Sequence, residues 1–237
     1  FVSNGEMKME TAGSLKDGRD IWGLAKLDQT FELAGGDEVN GYLLIDSPHQ
    51  SGIALTIMFT PIRVVCSNTM ALALNTDGKR FRVLHLQAFD DEIMRAAEEA
   101  LGISEVKMNE FKEQATLLSN KRAKPIDVQT FIAELFQPQL LIERGKMNVA
   151  NDVPFAEQFN RTAEQVHDAI NYSPGSDLKS AEGTWWGALN GVTYVMDHTK
   201  RESERVPGGA LYSSWLGPNA ATKRRALDLA VDYAQAA

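Results

Sequence analysis

The spacing of apolar residues changes near Ala88, and that change limits the fold more than any other feature of the chain. Before it, short apolar or alternating runs are separated by turn residues, the signature of strands; beyond it, apolar residues recur at helical spacing. Strands first and helices after predict an α+β fold: an antiparallel sheet built from N-terminal hairpins and packed with helices, then a mostly helical C-terminal part. With 237 residues, 43% of them hydrophobic, the chain can bury roughly 70 to 75% of the surface of its unfolded form. One α+β domain over 1–237 is expected, with a possible helical subdomain at 154–237. Because the chain opens on Phe1 and passes at once into a polar run, a native N-terminal segment is expected to precede it.

The strand half resolves into two pairs. Met7 to Leu15 and Asp20 to Leu27 flank Asp17-Gly18, a strong hairpin signal. Asn40 to Asp46 and Ile53 to Cys66 flank the turn run 47–52. Pro61 cannot donate to a ladder, so the second strand is expected to be split near Phe59 to Ile62, by a bulge or where the strand lies at an edge. A helix over Thr69 to Leu74, capped by Ser67 or Asn68, and a strand over Lys79 to Gln87 complete this half. In the helical half, a helix opens at Asp90 or Asp91, stops or kinks at Gly102, and a second starts at Ser104. Pro125 starts the next, which Pro138 closes. Further helices are expected near Pro154 to Asn171, Glu182 to Lys200 and Asn219 to Ala237. Arg144 to Pro154 and Arg201 to Asn219 read as loops.

Charge and residue chemistry narrow the function classes. A net charge of -8 disfavours a surface that condenses as a whole on nucleic acid or anionic membrane, while leaving room for a local basic patch. No apolar run approaches the ~20 residues of a membrane span. The single cysteine, Cys66, excludes an internal disulfide and fits a reducing, cytoplasmic setting. The histidines at 49, 85, 167 and 198 have no metal-ligand spacing, so no metal site is expected. No GxxxxGK[ST] or GxGxxG run occurs, and no cofactor or catalytic residue is assigned. Cys66 follows a strand and precedes the expected helix, so a cysteine-dependent enzyme with His49 or His85 as base stands as one alternative. A non-catalytic assembly or host-interaction protein is another.

The stretch Thr184 to Arg225 is the most suggestive. Trp185, Trp186, Tyr194, Tyr212 and Trp215 share it with Lys200, Arg201, Arg205, Lys223, Arg224 and Arg225. Six basic residues stand against Asp197, Glu202 and Glu204, a local balance of +3. Cations that track phosphates and aromatic faces that stack bases are how single-stranded nucleic acid is held. Trp185, Leu189, Val192 and Met196 recur at helical spacing and are assigned to a buried face, whereas Trp186, Tyr212 and Trp215 are the candidates for stacking. Arg63, Lys200, Arg201, Arg205, Lys223, Arg224 and Arg225 are the candidates for phosphate contact. Lys223 to Arg225 lie early in the last helix, where the macrodipole disfavours cations, so an anion or a salt-bridge network is expected beside them.

Four runs together resemble a known family: Thr11-Ala12-Gly13-Ser14-Leu15 with Trp22; Ser47 to Gly52; Phe59-Thr60-Pro61-Ile62-Arg63-Val64-Val65-Cys66-Ser67-Asn68-Thr69; and Leu211 to Gly217. They are similar to the phage/plasmid-like proteins of a large domain-of-unknown-function family. The Phe59 to Thr69 run is the most specific of the four. The turn at Ser47 to Gly52 departs from a Ser-His-Asp-Gly-Ser-like stretch by an inserted proline and a missing aspartate, which weakens a catalytic reading of His49. The resemblance implies a gene of phages, prophages or plasmids acting in the bacterial cytoplasm, and assigns no activity. The expected order of strands and helices is also loosely similar to that of phage single-strand annealing proteins. The reading drawn from all this is a protein of nucleic-acid metabolism that binds or anneals single-stranded DNA, as a homo-oligomer and without a membrane partner.

Overall fold

The computed structural model describes residues 7–15, 18–49, 55–70, 81–83, 91–199 and 208–236. Four long strands run in sequence order, each antiparallel to the last: β1 (Met7–Leu15), β2 (Asp20–Leu33), β3 (Asp37–Pro48) and β4 (Leu55–Arg63). Beyond β4, the two-residue β5 (Asn68–Thr69) and the three-residue β6 (Phe81–Val83) pair with opposite ends of its outer edge. Gly18 takes φ 83° between β1 and β2, and Gly35 and Gly36 take φ 91° and 78° between β2 and β3. These are left-handed conformations that glycine adopts without steric cost.

Alternation gives the sheet two apolar faces. Val39, Leu43, Ile57 and Phe59 point to one face and join the main core, which runs through the helices as far as Ala234. Leu24, Tyr42, Leu44 and Met58 point to the other, where Trp215 and Leu216 cover them. Among the described residues, seven α-helices follow: α1 (Asp91–Asn120), α2 (Pro125–Phe136), α3 (Pro138–Lys146), α4 (Arg161–Tyr172), α5 (Trp185–His198), α6 (Gly209–Trp215) and α7 (Pro218–Ala236). Helix α5 is the central one: all its residues from Trp185 to Thr193 are buried, as are Val195 and Met196. Gly191 brings it against α4, since a Cβ there would strike Ile170. The α+β order, the antiparallel sheet and the mostly helical C-terminal part are therefore as the sequence predicts.

Several elements differ in detail. Strand β4 is not split at Pro61: its register with β3 runs unbroken from Thr56 to Arg63. Pro61 falls between the stretches of β4 that β6 and β5 cover on the outer edge, so no described ladder pair on that edge asks it for an N–H. Thr69 belongs to β5 rather than to a helix, and 71–74 lie outside the described residues, as does the expected strand apart from 81–83. Helix α1 passes through Gly102 without a break. Ser104 is inside it, donating to the Leu101 carbonyl at 2.7 Å and accepting from Gln29 at 3.3 Å. Pro138 opens α3 instead of merely closing α2, and α6 forms within the stretch expected to be loop.

Candidate functional site

Within the Phe59 to Thr69 run, the part from Arg63 to Thr69 is a tight reversal from β4 into β5. Val64, Val65 and Ser67 face outward, while Arg63, Cys66, Asn68 and Thr69 are buried. Ser67 takes φ 53°, which lets the chain turn so that Asn68 and Thr69 point back at α5. That helix meets them with Trp186, Asn190, Thr193 and Asp197, whose spacing of four, three and four residues sets them along one face. The hairpin and the helix are joined along this face by three groups of polar contacts.

In the first, the Asp37 carboxylate, fully enclosed, receives four donors. Arg63 Nε and Nη2 bind it as a fork at 2.7 and 2.8 Å, Ser180 Oγ donates at 2.5 Å and Trp186 Nε1 at 2.9 Å. Arg63 Nη2 also reaches the Gly175 carbonyl at 2.9 Å. A bidentate guanidinium with added neutral donors satisfies the lone pairs of a buried carboxylate and gives the pair a fixed geometry. In the second, Asn68 Nδ2 donates to Thr193 Oγ1 at 2.8 Å and to the Asn190 carbonyl at 3.1 Å. In the third, Lys223 Nζ binds Asp197 Oδ1 at 2.5 Å and donates to Thr69 Oγ1 at 2.8 Å and Ser214 Oγ at 3.1 Å. Thr69 donates to Asp197 Oδ2 through both its amide, at 2.7 Å, and its hydroxyl, at 3.1 Å, and Ser214 donates to Oδ1 of the same carboxylate. Burial pulls the Lys223 ammonium down from the ordinary lysine range, with Asp197 opposing it.

These contacts reassign four residues expected on a nucleic-acid surface. Arg63, Trp186 and Lys223 are 3%, 2% and 0% exposed; their charges and the indole N–H are already matched inside the protein. Trp215 is buried against Trp22, with ring centroids 5.0 Å apart and planes at 80°. The two tryptophans are buried because they help cover the two faces of the sheet, and Arg63 and Lys223 are buried with their carboxylate partners. The anion expected beside Lys223 is the Asp197 carboxylate. On the surface, Arg225 is exposed and donates to the Glu134 carbonyl at 3.0 Å. Tyr212 is 36% exposed, and Arg224 is half-buried; both have partners of their own. Lys200, Arg201 and Arg205 lie outside the described residues.

Cys66 is buried beside Arg63, whose Nη1 approaches Sγ at 3.9 Å. Burial pushes the thiol up, against the downward pull of the guanidinium. His49 follows β3 at the Pro48 end, while Cys66 follows β4 at the Val39 end of the same strand pair, roughly 30 Å away at the usual strand rise. His85 lies outside the described residues. Among the described residues, no three His, Cys, Asp or Glu side chains gather as a metal site would require. No helix of the described residues is long and apolar enough to cross a membrane.

Open space lies elsewhere. A cavity of about 420 Å³ is lined by Phe136 from the end of α2, Asn160, Arg161 and Thr162 at the start of α4, Met196 of α5, and Asn219 and Thr222 of α7. Asn160 caps α4 by accepting from the Thr162 and Ala163 amides at 3.1 and 3.0 Å. Among the described residues, the lining of this cavity holds one cation, side-chain amides and hydroxyls, and no carboxylate. Arg225, three residues after Thr222, continues that side of α7. Sequence reasoning missed Arg161 because it stands alone in its own segment.

Taken together, fold and contacts define a class: an antiparallel sheet with helices on both faces, whose strand-end hairpin is joined to a central helix by enclosed hydrogen bonds beside two buried ion pairs. The chain belongs to the family described as Domain of unknown function (DUF932), which matches residues 1–234. No curated protein and no solved structure matches it.

Proposed function

We propose that the chain is a non-catalytic binding protein for single-stranded nucleic acid, of phage or plasmid origin and acting in the bacterial cytoplasm, with the cavity between α2, α4 and α7 as its contact surface. The observation that carries this reading is the lining itself: among the described residues it holds the exposed Arg161, the Thr162 and Thr222 hydroxyls, no carboxylate, and a half-buried Phe136 beside Met196. Phosphates are held by guanidinium groups and by Asn and Thr side chains, and an aromatic face gives a base somewhere to stack. Arg225 extends the cationic character along α7. The contact surface thus moves away from Arg63, Trp186, Trp215 and Lys223, which serve the interior.

Titration of a labelled single-stranded oligonucleotide at several salt concentrations tests the proposal. With two phosphates neutralised, by Arg161 and Arg225, log affinity falls with log salt at a slope of about -1.4. Arg161→Glu removes most of the binding without unfolding the protein. Absence of binding at low salt, or full binding by Arg161→Glu, overturns it.

A further inference from the structure

Strand β1 ends the sheet: among the described residues it pairs with β2 alone. Its residues from Lys8 to Ala12 are all exposed, whereas β3 and β4 are buried along most of their length. Lys8 stands directly across from Lys26, which stands across from Tyr42, so both lysines lie on the second face of the sheet. Glu10 is the extra residue of a bulge between Met9 and Thr11, and its carboxylate lies beside the Tyr42 hydroxyl on that same face. Met9 points to the main-core face, with its thioether against Gly23, and is 54% exposed. Like charges directly opposite each other are unfavourable in a sheet. Lys8 therefore meets repulsion on its inner side and gains from a carboxylate on its outer side.

We infer that β1 pairs with β1 of a second copy of this chain, antiparallel about a two-fold axis at Met9. Cross-strand partners share a face, so this pairing sets Lys8 of each copy against Glu10 of the other, and the two exposed Met9 side chains against each other. Moving the axis one residue either way, to Lys8 or to Glu10, sets two like charges together. Centring it on Thr11 sets both charges against the uncharged Ser14 and Ala12. Charge complementarity thus selects the occupant and the register together: Lys8 and Glu10, two apart on one face, complement a reversed copy of themselves. The two sheets join into one, and the outward N–H and C=O groups of β1 gain partners. Such a contact uses the same surface on both copies and closes at a dimer. One strand pair is a small interface, so association is reversible and depends on concentration. This inference is independent of where nucleic acid binds.

Sedimentation equilibrium of the full chain over a concentration series tests it, with Lys8→Glu and Glu10→Lys as variants. The unaltered chain is expected to show a monomer–dimer equilibrium. Each charge reversal alone sets like charges across the axis at both positions and weakens dimerisation by about tenfold or more. An equimolar mixture of the two variants regains the dimer, because one chain then carries two carboxylates at these positions and the other two ammonium groups. Both positions are exposed, so each variant keeps the urea midpoint of the unaltered chain. A chain that stays monomeric up to its solubility limit overturns the inference. So does a variant that dimerises as the unaltered chain does, or a mixture that remains monomeric.

Discussion

Lys223 Nζ lies 2.5 Å from Asp197 Oδ1, and the lysine side chain is wholly enclosed. A lysine early in α7 faces the unfavourable end of its helix dipole, and the carboxylate from α5 offsets that. Removing one partner strands the other charge in the interior. Lys223→Met is therefore expected to lower stability by about 3 to 5 kcal/mol. Arg225→Met, on the exposed side of the same helix, is expected to cost less than about 1 kcal/mol. Urea unfolding of the two variants makes the comparison; similar losses in both would contradict the assignment.

Cys66 is enclosed, and burial holds its thiol above the ordinary range. Slow alkylation at neutral pH is the expected outcome in the folded protein, with rapid reaction once urea unfolds it. A folded-state rate equal to the unfolded one would show that the β4–β5 reversal is open.

Tyr42 sits on the second face of the sheet with its pKa raised from 10.0 to about 12, first by burial and then by the Glu10 carboxylate beside its hydroxyl. Its neutral form is the one the fold favours, so the folded chain holds this proton when the unfolded chain has lost it. The stabilisation is complete below pH 10 and is lost as pH rises toward 12. The urea midpoint should fall across that window, and fall less steeply in Tyr42→Phe. Parallel profiles for the two proteins would remove Tyr42 as a contributor.

Gly175 takes φ 77°, and a Cβ there would come within 2.6 Å of Val65 Cγ1. Its carbonyl is also an acceptor for Arg63. Gly175→Ala combines an unfavourable backbone conformation with displacement of the hairpin, so a loss above about 1 kcal/mol is expected. Gly36→Ala has the same kind of backbone, φ 78°, but open space around it, and should cost less. Thermal or urea unfolding of both variants provides the check.

Features fixed by local chemistry were legible in the sequence. Asp17-Gly18 marks the first hairpin, and the apolar run Asn40 to Asp46 before a turn marks most of β3, whereas β2 runs on to Leu33, past the expected end at Leu27. What depended on distant partners was not. Gly102 reads as a helix end, yet α1 continues because Leu101 and Ile103 pack on either side of it against the core. Helix α6 has seven residues, too few for a periodic signal, and its Trp215 helps cover the second face of the sheet. Trp186 and Lys223 look like surface groups because their partners, Asp37 and Asp197, lie 149 and 26 residues away. One signal was available. Asn190, Thr193 and Asp197 fall at helical spacing from Trp186 on a helix that is otherwise apolar, and polar side chains on a buried helix need partners.

Whether Arg63 serves the fold or a ligand is decided most directly by a double-mutant cycle with Asp37, read from urea unfolding. Arg63→Leu and Asp37→Leu are each expected to cost about 3 to 5 kcal/mol, and the double variant far less than their sum, a coupling of at least about 2 kcal/mol. Additive losses, or an Arg63→Leu protein of unchanged stability that no longer holds an oligonucleotide, would contradict the internal role of this residue.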